Sequence, residues 1–325
     1  MSKKKIAITM GDPAGIGPEI IIKAVTSHEV RSRIIPIIIG NRMVMKEAVQ
    51  LTGVDIEFEE DLSTLSLGKN EKVFLVAIDD LKDNIKGSSS AEGGRTSVEC
   101  IKKAVELCMH NTADAMVTAP ISKKSLHLAG YSWPGHTEMI AELTNTNKAG
   151  MLFVGESLRV ILVTIHVPLR SVPELISKEK VYDTILLADK ACKMLSVDTP
   201  RIAVAGLNPH AGEGGIFGNA ERSRITPAIE KAKHEGMNVT GPFPPDVIFK
   251  KTVDGEFDII VAMYHDQGLI PFKMLYFATG VNTTIGLPII RTSPDHGTAY
   301  DIAWKGIADP SSMIEAILLA KRMRR

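Results

Sequence analysis

Three histidines each close a β-rich run and are followed by turn or polar residues. They lie in Thr164-Ile165-His166-Val167-Pro168, in Leu207-Asn208-Pro209-His210-Ala211-Gly212-Glu213 and in Met263-Tyr264-His265-Asp266-Gln267-Gly268. If their strands are neighbours in one sheet, the imidazoles emerge on the same edge, where open α/β sheets place their ligands. Neutral imidazole is a common ligand for zinc and other first-row metals, and three protein ligands leave coordination positions open for substrate. A lone histidine is more often a satisfied structural residue. Three at equivalent strand ends argue for a metal, although separations of 44 and 55 residues carry no local signature. Asp266 and Asp246 lie near enough in sequence to orient an imidazole or to handle a proton, and the sequence leaves both roles open.

A second set of residues suits an anion. Gly135-His136-Thr137-Glu138 puts a hydroxyl, an imidazole and backbone N–H groups at a helix start, Lys273 and Arg291 supply positive charge, and Asn282 adds a neutral donor. Isolated lysines and arginines are usually solvated. Arg291, however, follows the apolar run Ile285-Gly286-Leu287-Pro288-Ile289-Ile290, where a charge is expensive to bury without an anion. Near the N-terminus, Thr9-Met10-Gly11-Asp12-Pro13-Ala14-Gly15-Ile16-Gly17-Pro18-Glu19 follows a strand and opens a helix. Its glycine spacing is not the dinucleotide fingerprint, so it reads equally as a ligand loop or a plain strand-to-helix turn.

The elements that must position these groups alternate. Short β-branched runs at 34–39, 73–77, 115–118, 158–165, 201–205 and 258–263 are separated by helical patterns at 17–25, 96–109, 180–194 and 220–235, which predicts an α/β fold with largely parallel sheets. Segments 82–94 and 213–219 read as loops, the first a candidate mobile flap, and no internal repeat is present. Chemistry-bearing segments are spread along the whole chain, which favours a cleft between two domains with the chain crossing out and back. The boundaries expected are 1–125 together with 275–325, carrying the cofactor loop, and 126–274, carrying the metal ligands and dimer contacts.

Composition bounds the function. The 325 residues are 44% hydrophobic, enough to fill large cores, and Lys+Arg equals Asp+Glu at 38 each. Basic clusters occur only at 3–5 and 321–325 and read as solvated tails, so nucleic acid is not expected as a partner. Cys100, Cys108 and Cys192 lack metal-type spacing and fit buried thiols in a reducing compartment. Neither a signal peptide nor a membrane span is expected, which points to the cytoplasm.

One stretch carries a resemblance. Asp295-His296-Gly297-Thr298-Ala299-Tyr300-Asp301-Ile302-Ala303-Trp304-Lys305-Gly306-Ile307-Ala308-Asp309-Pro310 resembles the adenosine-binding loop of the isocitrate and isopropylmalate dehydrogenase superfamily. Taken with Gly-Asp-Pro-Ala-Gly-Ile-Gly-Pro-Glu, Thr-Ala-Pro-Ile-Ser-Lys, Gly-His-Thr-Glu, Asn-Pro-His-Ala-Gly-Glu, Met-Tyr-His-Asp-Gln-Gly and Gly-Leu-Pro-Ile-Ile-Arg-Thr-Ser, it makes the chain similar from end to end to the 4-hydroxythreonine-4-phosphate dehydrogenase family. The resemblance implies an isocitrate/isopropylmalate dehydrogenase-like fold of two α/β/α domains, a homodimer with active sites at the subunit interface, and NAD as oxidant. It places one divalent metal (Zn, Mg, Mn or Co) on His166, His210 and His265, and substrate contacts on His136, Thr137, Lys273, Asn282 and Arg291. Cofactor contacts are expected at Gly11, Asp12, His296, Gly297, Thr298 and Ala299.

Within that family, Thr-Met-Gly-Asp-Pro stands where the biosynthetic type tends to read Thr-Pro-Gly-Glu-Pro, and Asp-Ile-Ala-Trp-Lys-Gly and Gly-Pro-Phe-Pro-Pro-Asp also resemble the threonate branch. The expected reaction is oxidation and decarboxylation of 4-phospho-D-threonate, or its erythronate isomer, to dihydroxyacetone phosphate and carbon dioxide. The alternative substrate is 4-phosphooxy-L-threonine, on the way to pyridoxal phosphate. Two other classes, a metal-dependent phosphatase and a sugar-phosphate-binding protein, would use the same cations but leave the His-Gly-Thr-Ala loop without a purpose.

Overall fold

The computed structural model describes residues 3–67, 72–79, 81 and 86–325. The chain divides into two compact units, Met1–Asn147 with Leu287–Arg322, and Lys148–Gly286 with Met323–Arg325. Among the described residues no helix is long and apolar enough to cross a membrane.

The first unit holds strands β1 (Lys4–Thr9), β2 (Ile34–Gly40), β3 (Phe58–Glu59), β4 (Val73–Ala77) and β5 (Ala115–Thr118). In the second unit the chain forms β6 (Gly150–Val154), β7 (Arg159–Leu162), β8 (Ile202–Ala205), β9 (Val239–Phe243), β10 (Ile259–Ala262) and β11 (Val281–Ile285), and β12 (Arg291–Pro294) returns to the first. The first unit's strand order is β3-β4-β2-β1-β5-β12, parallel throughout. Parallel strands buried on both faces read as continuous apolar runs, as Ile6, Ala7 and Ile8 beside Ile37, Ile38 and Ile39 show, all of them fully buried. Truncating one such isoleucine to alanine costs about 2–5 kcal/mol. Pro36 is tolerated inside β2 because it pairs with Ile6 of β1 one residue before the β4 ladder begins at Ile37.

The second unit's order is β11-β6-β7-β10-β8-β9, and here the expectation of parallel pairing holds only in part. β6 runs antiparallel to both β7 and β11, whereas β7, β10, β8 and β9 are parallel. The four-residue connection from Val154 to Arg159 is too short for a parallel crossover, which needs a dozen residues or more. Each unit has its own apolar cluster, around Ile37, Ile101 and Met116 in the first and around Phe153, Ile260 and Phe272 in the second.

Helix starts follow local chemistry: Asn41, Ser90, Ser122 and Ser177 each accept a backbone N–H in the first turn of the helix they precede. Three sequence expectations are corrected. The segment read as a loop over 82–94 contains the first turn of the Ala91–Met109 helix, capped by Ser90, while 82–85 lie outside the described residues. Lys4 and Lys5 begin β1 rather than a free tail, because the Lys5 N–H is held by Asp114. At the other end Lys321 and Arg322 close the Ser311–Arg322 helix, and Met323 is buried.

Candidate functional site

In the first unit β5 ends at Thr118 and β12 begins at Arg291, and the two strands are parallel partners. Arg291 is buried, only 3% exposed, and its Nε and Nη2 donate to the Thr118 hydroxyl at 3.1 and 2.6 Å. Burial pushes its pKa down to about 9, against the upward pull of Glu138. A guanidinium nonetheless stays charged at neutral pH. His136, the first residue of the His136–Leu143 helix, is held well below the usual histidine range, first by burial and then by the Arg291 charge. Its Nε2 is buried without a hydrogen-bond partner among the described residues. Gly135 caps this helix with no side-chain hydrogen bond, so a buried cation, a neutral imidazole and an uncapped N-terminus belong to one neighbourhood. Thr137 is half-buried in the first turn.

The loop after β1 is fixed by close backbone approach. Gly11 has φ +74°, and a Cβ there would lie 2.4 Å from the Pro120 carbonyl oxygen. Asp12 is buried. Its Oδ1 accepts the Ala14 N–H at 2.9 Å, and its Oδ2 accepts the Ser125 and Tyr300 hydroxyls, both at 2.8 Å. The Ile16 N–H donates to the Thr298 carbonyl at 3.0 Å, and a Cβ on Gly15 would meet that same carbonyl oxygen at 2.9 Å. Trp304 donates from Nε1 to the Pro13 carbonyl at 3.1 Å. Further along, Glu19 and Lys23, paired at 2.7 Å, grip Gly306 and Ala308: Glu19 accepts both N–H groups while Lys23 donates to both carbonyls. The segment carrying His296, Gly297, Thr298 and Ala299 is thus tied to the Gly11–Asp12 loop. His296 and Gly297 are exposed, and nothing lies within 4 Å of a Cβ built on Gly297.

In the second unit the histidines follow β7, β8 and β10, adjacent strands of one sheet. The rings of His166 and His265 are 5.7 Å apart. His265 Nδ1 lies 2.7 Å from Asp266 Oδ1, which fixes the tautomer and leaves Nε2 as the ring's outward lone pair. His210 sits in a six-residue run, His210 to Gly215, entirely at positive φ, with the Phe217 ring tilted against its own at 6.2 Å between centroids. Asp246 is exposed in the first turn of the Pro245–Val253 helix. Lys273 is half-buried on the His265–Tyr276 helix, and Asn282 of β11 has a buried Oδ1 without a hydrogen-bond partner among the described residues.

Two imidazoles sharing one tetrahedral ion, with nitrogens ~2.0–2.1 Å from it, have ring centres roughly 5 Å apart. The His166–His265 pair fits that spacing. Among the described residues of one chain, no group of three or more His, Cys, Asp or Glu is placed to hold a metal ion.

Sequence reasoning missed Thr118, Glu19 and Tyr300. Each is a polar side chain whose partner lies far along the chain; the only local signal was a polar residue closing or adjoining an apolar run, as in Ala-Met-Val-Thr118.

Relatives match this chain nearly end to end. A 4-hydroxythreonine-4-phosphate dehydrogenase of Desulforapulum autotrophicum is 46% identical over 97% of this chain and 94% of its own length. A D-threonate 4-phosphate dehydrogenase of Salmonella typhimurium is 42% identical over 99% of this chain and 100% of its own length. A solved structure described as a 4-hydroxythreonine-4-phosphate dehydrogenase from Klebsiella pneumoniae superposes with a TM-score of 0.90 at 40% identity, covering 98% of both chains. Residues 32–320 match the family described as pyridoxal phosphate biosynthetic protein PdxA, and the chain belongs to that family.

Proposed function

We propose that this chain is an NAD-dependent dehydrogenase that uses a divalent metal to oxidise and decarboxylate a phosphorylated 3-hydroxy acid, 4-phospho-D-threonate or its erythronate isomer. The observation that carries the reading is the buried Arg291 guanidinium beside the neutral, unpartnered His136 Nε2 at an uncapped helix start. A charge so placed is costly unless an anion meets it. Arg291, His136 and Thr137, with Lys273 and Asn282, bind the substrate's phosphate and carboxylate, and that binding energy holds the reacting carbon in position. Gly11 and Asp12 shape the loop on which Thr298 rests, and His296, Gly297, Thr298 and Ala299 receive the adenosine of NAD, which supplies the hydride acceptor.

His166, His210 and His265 would hold the metal, whose Lewis acidity favours loss of the hydroxyl proton and stabilises the negative charge of decarboxylation. His166 and His265 have rings 5.7 Å apart, His210 follows the strand next to β10, and the active site lies at the subunit interface of a homodimer. What supports the dimer is the company the histidines keep. Large apolar side chains stand exposed just after each of them: Leu169, then Ile216 and Phe217, then Ile270, Met274 and Phe277. The three buried free thiols suit a cytoplasmic protein.

The threonate assignment rests on Met10, Asp12 and Trp304, which fall in one structural neighbourhood, with Asp12 bonded to Tyr300 and Trp304 to Pro13. The second reading, 4-phosphooxy-L-threonine, has in its favour the name carried by the Desulforapulum relative. The test is the specificity constant for each acid at neutral pH with one metal and NAD, read as reduced cofactor. Preference for the amino acid removes the threonate assignment, and release of inorganic phosphate without reduced cofactor removes the dehydrogenase.

A further inference from the structure

Three buried polar side chains tie the histidine-bearing turns to one another. Thr164, two residues before His166, donates its hydroxyl to the carbonyl of Met263 at 2.8 Å, two residues before His265. Gln267, two residues after His265, accepts the Met263 N–H at 2.6 Å and donates from Nε2 to the Gly206 carbonyl at 2.8 Å, where β8 gives way to the His210 turn. Glu221 then accepts the N–H groups of Leu207 and Asn208 at 2.9 and 2.7 Å. Thr164, Gln267 and Glu221 are 1%, 9% and 3% exposed. Buried polar groups joined in a fully satisfied chain resist displacement, since breaking one bond strands its partner in a dry interior.

We propose that Gln267 is a positioning residue that sets the spacing of the His265 turn against the His210 turn, an inference that rests on the metal reading above. A local bond at the helix start needs only an acceptor: Gln267 is the third residue of the His265–Tyr276 helix, and its Oε1 receives the N–H of Met263, the residue before the N-cap Tyr264. The Nε2 bond to Gly206 contributes nothing to that helix. It joins β10 to β8 at the strand ends. Gln267→Glu therefore separates the two roles, because it keeps the acceptor for the Met263 N–H at the same length and replaces the donor with an oxygen facing a carbonyl.

The experiment titrates the full-length protein with Co2+, without substrate or NAD, reading the visible absorption band and competition with a chelator; kcat and both KM values are measured alongside. Gln267→Glu is expected to keep the far-ultraviolet circular dichroism of the wild type, bind Co2+ at least tenfold more weakly and lose kcat, with the KM for NAD within twofold. Thr164→Val, which keeps the backbone bond to Met263 and loses the hydroxyl, is expected to weaken Co2+ binding more than threefold. Ser177→Ala, which uncaps the Lys178–Met194 helix of the same unit, is expected to lower Tm and leave Co2+ affinity unchanged. Affinity of Gln267→Glu within threefold of wild type overturns the proposal. Should that variant not fold, Thr164→Val within threefold overturns it. A wild type that takes up no Co2+ overturns the metal reading, and this inference with it.

Discussion

The chemistry-bearing edges of the two units are built on opposite plans. In the first, the charged groups are interior: Arg291, Asp12 and Glu19 are each at most 3% exposed and bonded to neighbours in the same unit. In the second, His166 and His210 are exposed, the His265 side chain is 39% exposed, and exposed large apolar side chains, Leu169, Ile216 and Ile270 first among them, follow each within six residues. The first edge holds its charges by bonds within its own unit. The second has exposed imidazoles, a run of backbone at positive φ and exposed hydrophobic side chains, the features expected where a metal and a second subunit complete the work.

That contrast can be broken by mutation, and the largest effect is expected at the open edge. His210→Asn, chosen because asparagine tolerates positive φ, and His265→Ala should each lower kcat roughly a hundredfold or more with Tm within a few degrees of wild type. Retained turnover with metal bound would return these histidines to the surface. Next comes the closed edge, where Arg291→Ala should raise the KM for the phosphorylated acid roughly ten- to a hundredfold, the equivalent of about 1.5–3 kcal/mol for a charge-assisted contact. An unchanged KM would make Arg291 a purely structural cation.

A stability effect of middle size is expected from Asp12→Ala, which strands the Ser125 and Tyr300 hydroxyls and the Ala14 N–H. Thermal unfolding should show a loss of about 1–3 kcal/mol, whereas Asp246→Ala, at an exposed position, should leave Tm unchanged.

The smallest effect concerns pH. His136 in the folded chain titrates well below its ordinary 6.5, so the unfolded chain takes up that proton first as pH falls. Stability is therefore lost as pH drops through 6.5 toward the folded value, and none of this cost applies above 6.5. His136→Gln should flatten the acid side of a Tm-against-pH curve, and an unaltered slope would place the imidazole in water.

How much of this was legible depends on the range of the forces involved. Val73–Ala77 and Ala115–Thr118 stand out as strands because parallel strands buried on two faces must be apolar along their whole length. β12 does not, since Arg-Thr-Ser-Pro carries no apolar signal and is buried only because Thr118 and the Ser311–Arg322 helix lie waiting for it. β11, with Thr283 and Thr284 buried mid-strand, is hidden for the same reason. The histidines could be picked out because each terminates a readable strand. Gln267 and Glu221 could not be given roles, because a buried side chain's function is set by a partner 61 residues away at Gly206 in one case and by a turn's open N–H groups in the other.

The return of β12 to β5 bears on how the protein is born. Thr118 waits 173 residues for Arg291, and Lys23 waits 283 for the Gly306 carbonyl, whereas most of the second unit is one unbroken stretch. At roughly 5–20 residues per second on the ribosome, the ~140 residues between Asn147 and Leu287 take roughly 7–28 s to synthesise. For that interval the first unit exists with the β5 edge unpaired and the Glu19–Lys23 grip empty, and an uncovered strand edge recruits other chains. The second unit, begun later, can close sooner. Nascent chains arrested at Gly286 should be cut by protease within residues 3–147 and spared within 148–286, and equal resistance in both stretches would show that the early segment folds without its last strand. Chaperone dependence in this family should then scale with the length of whatever is inserted between β5 and β12.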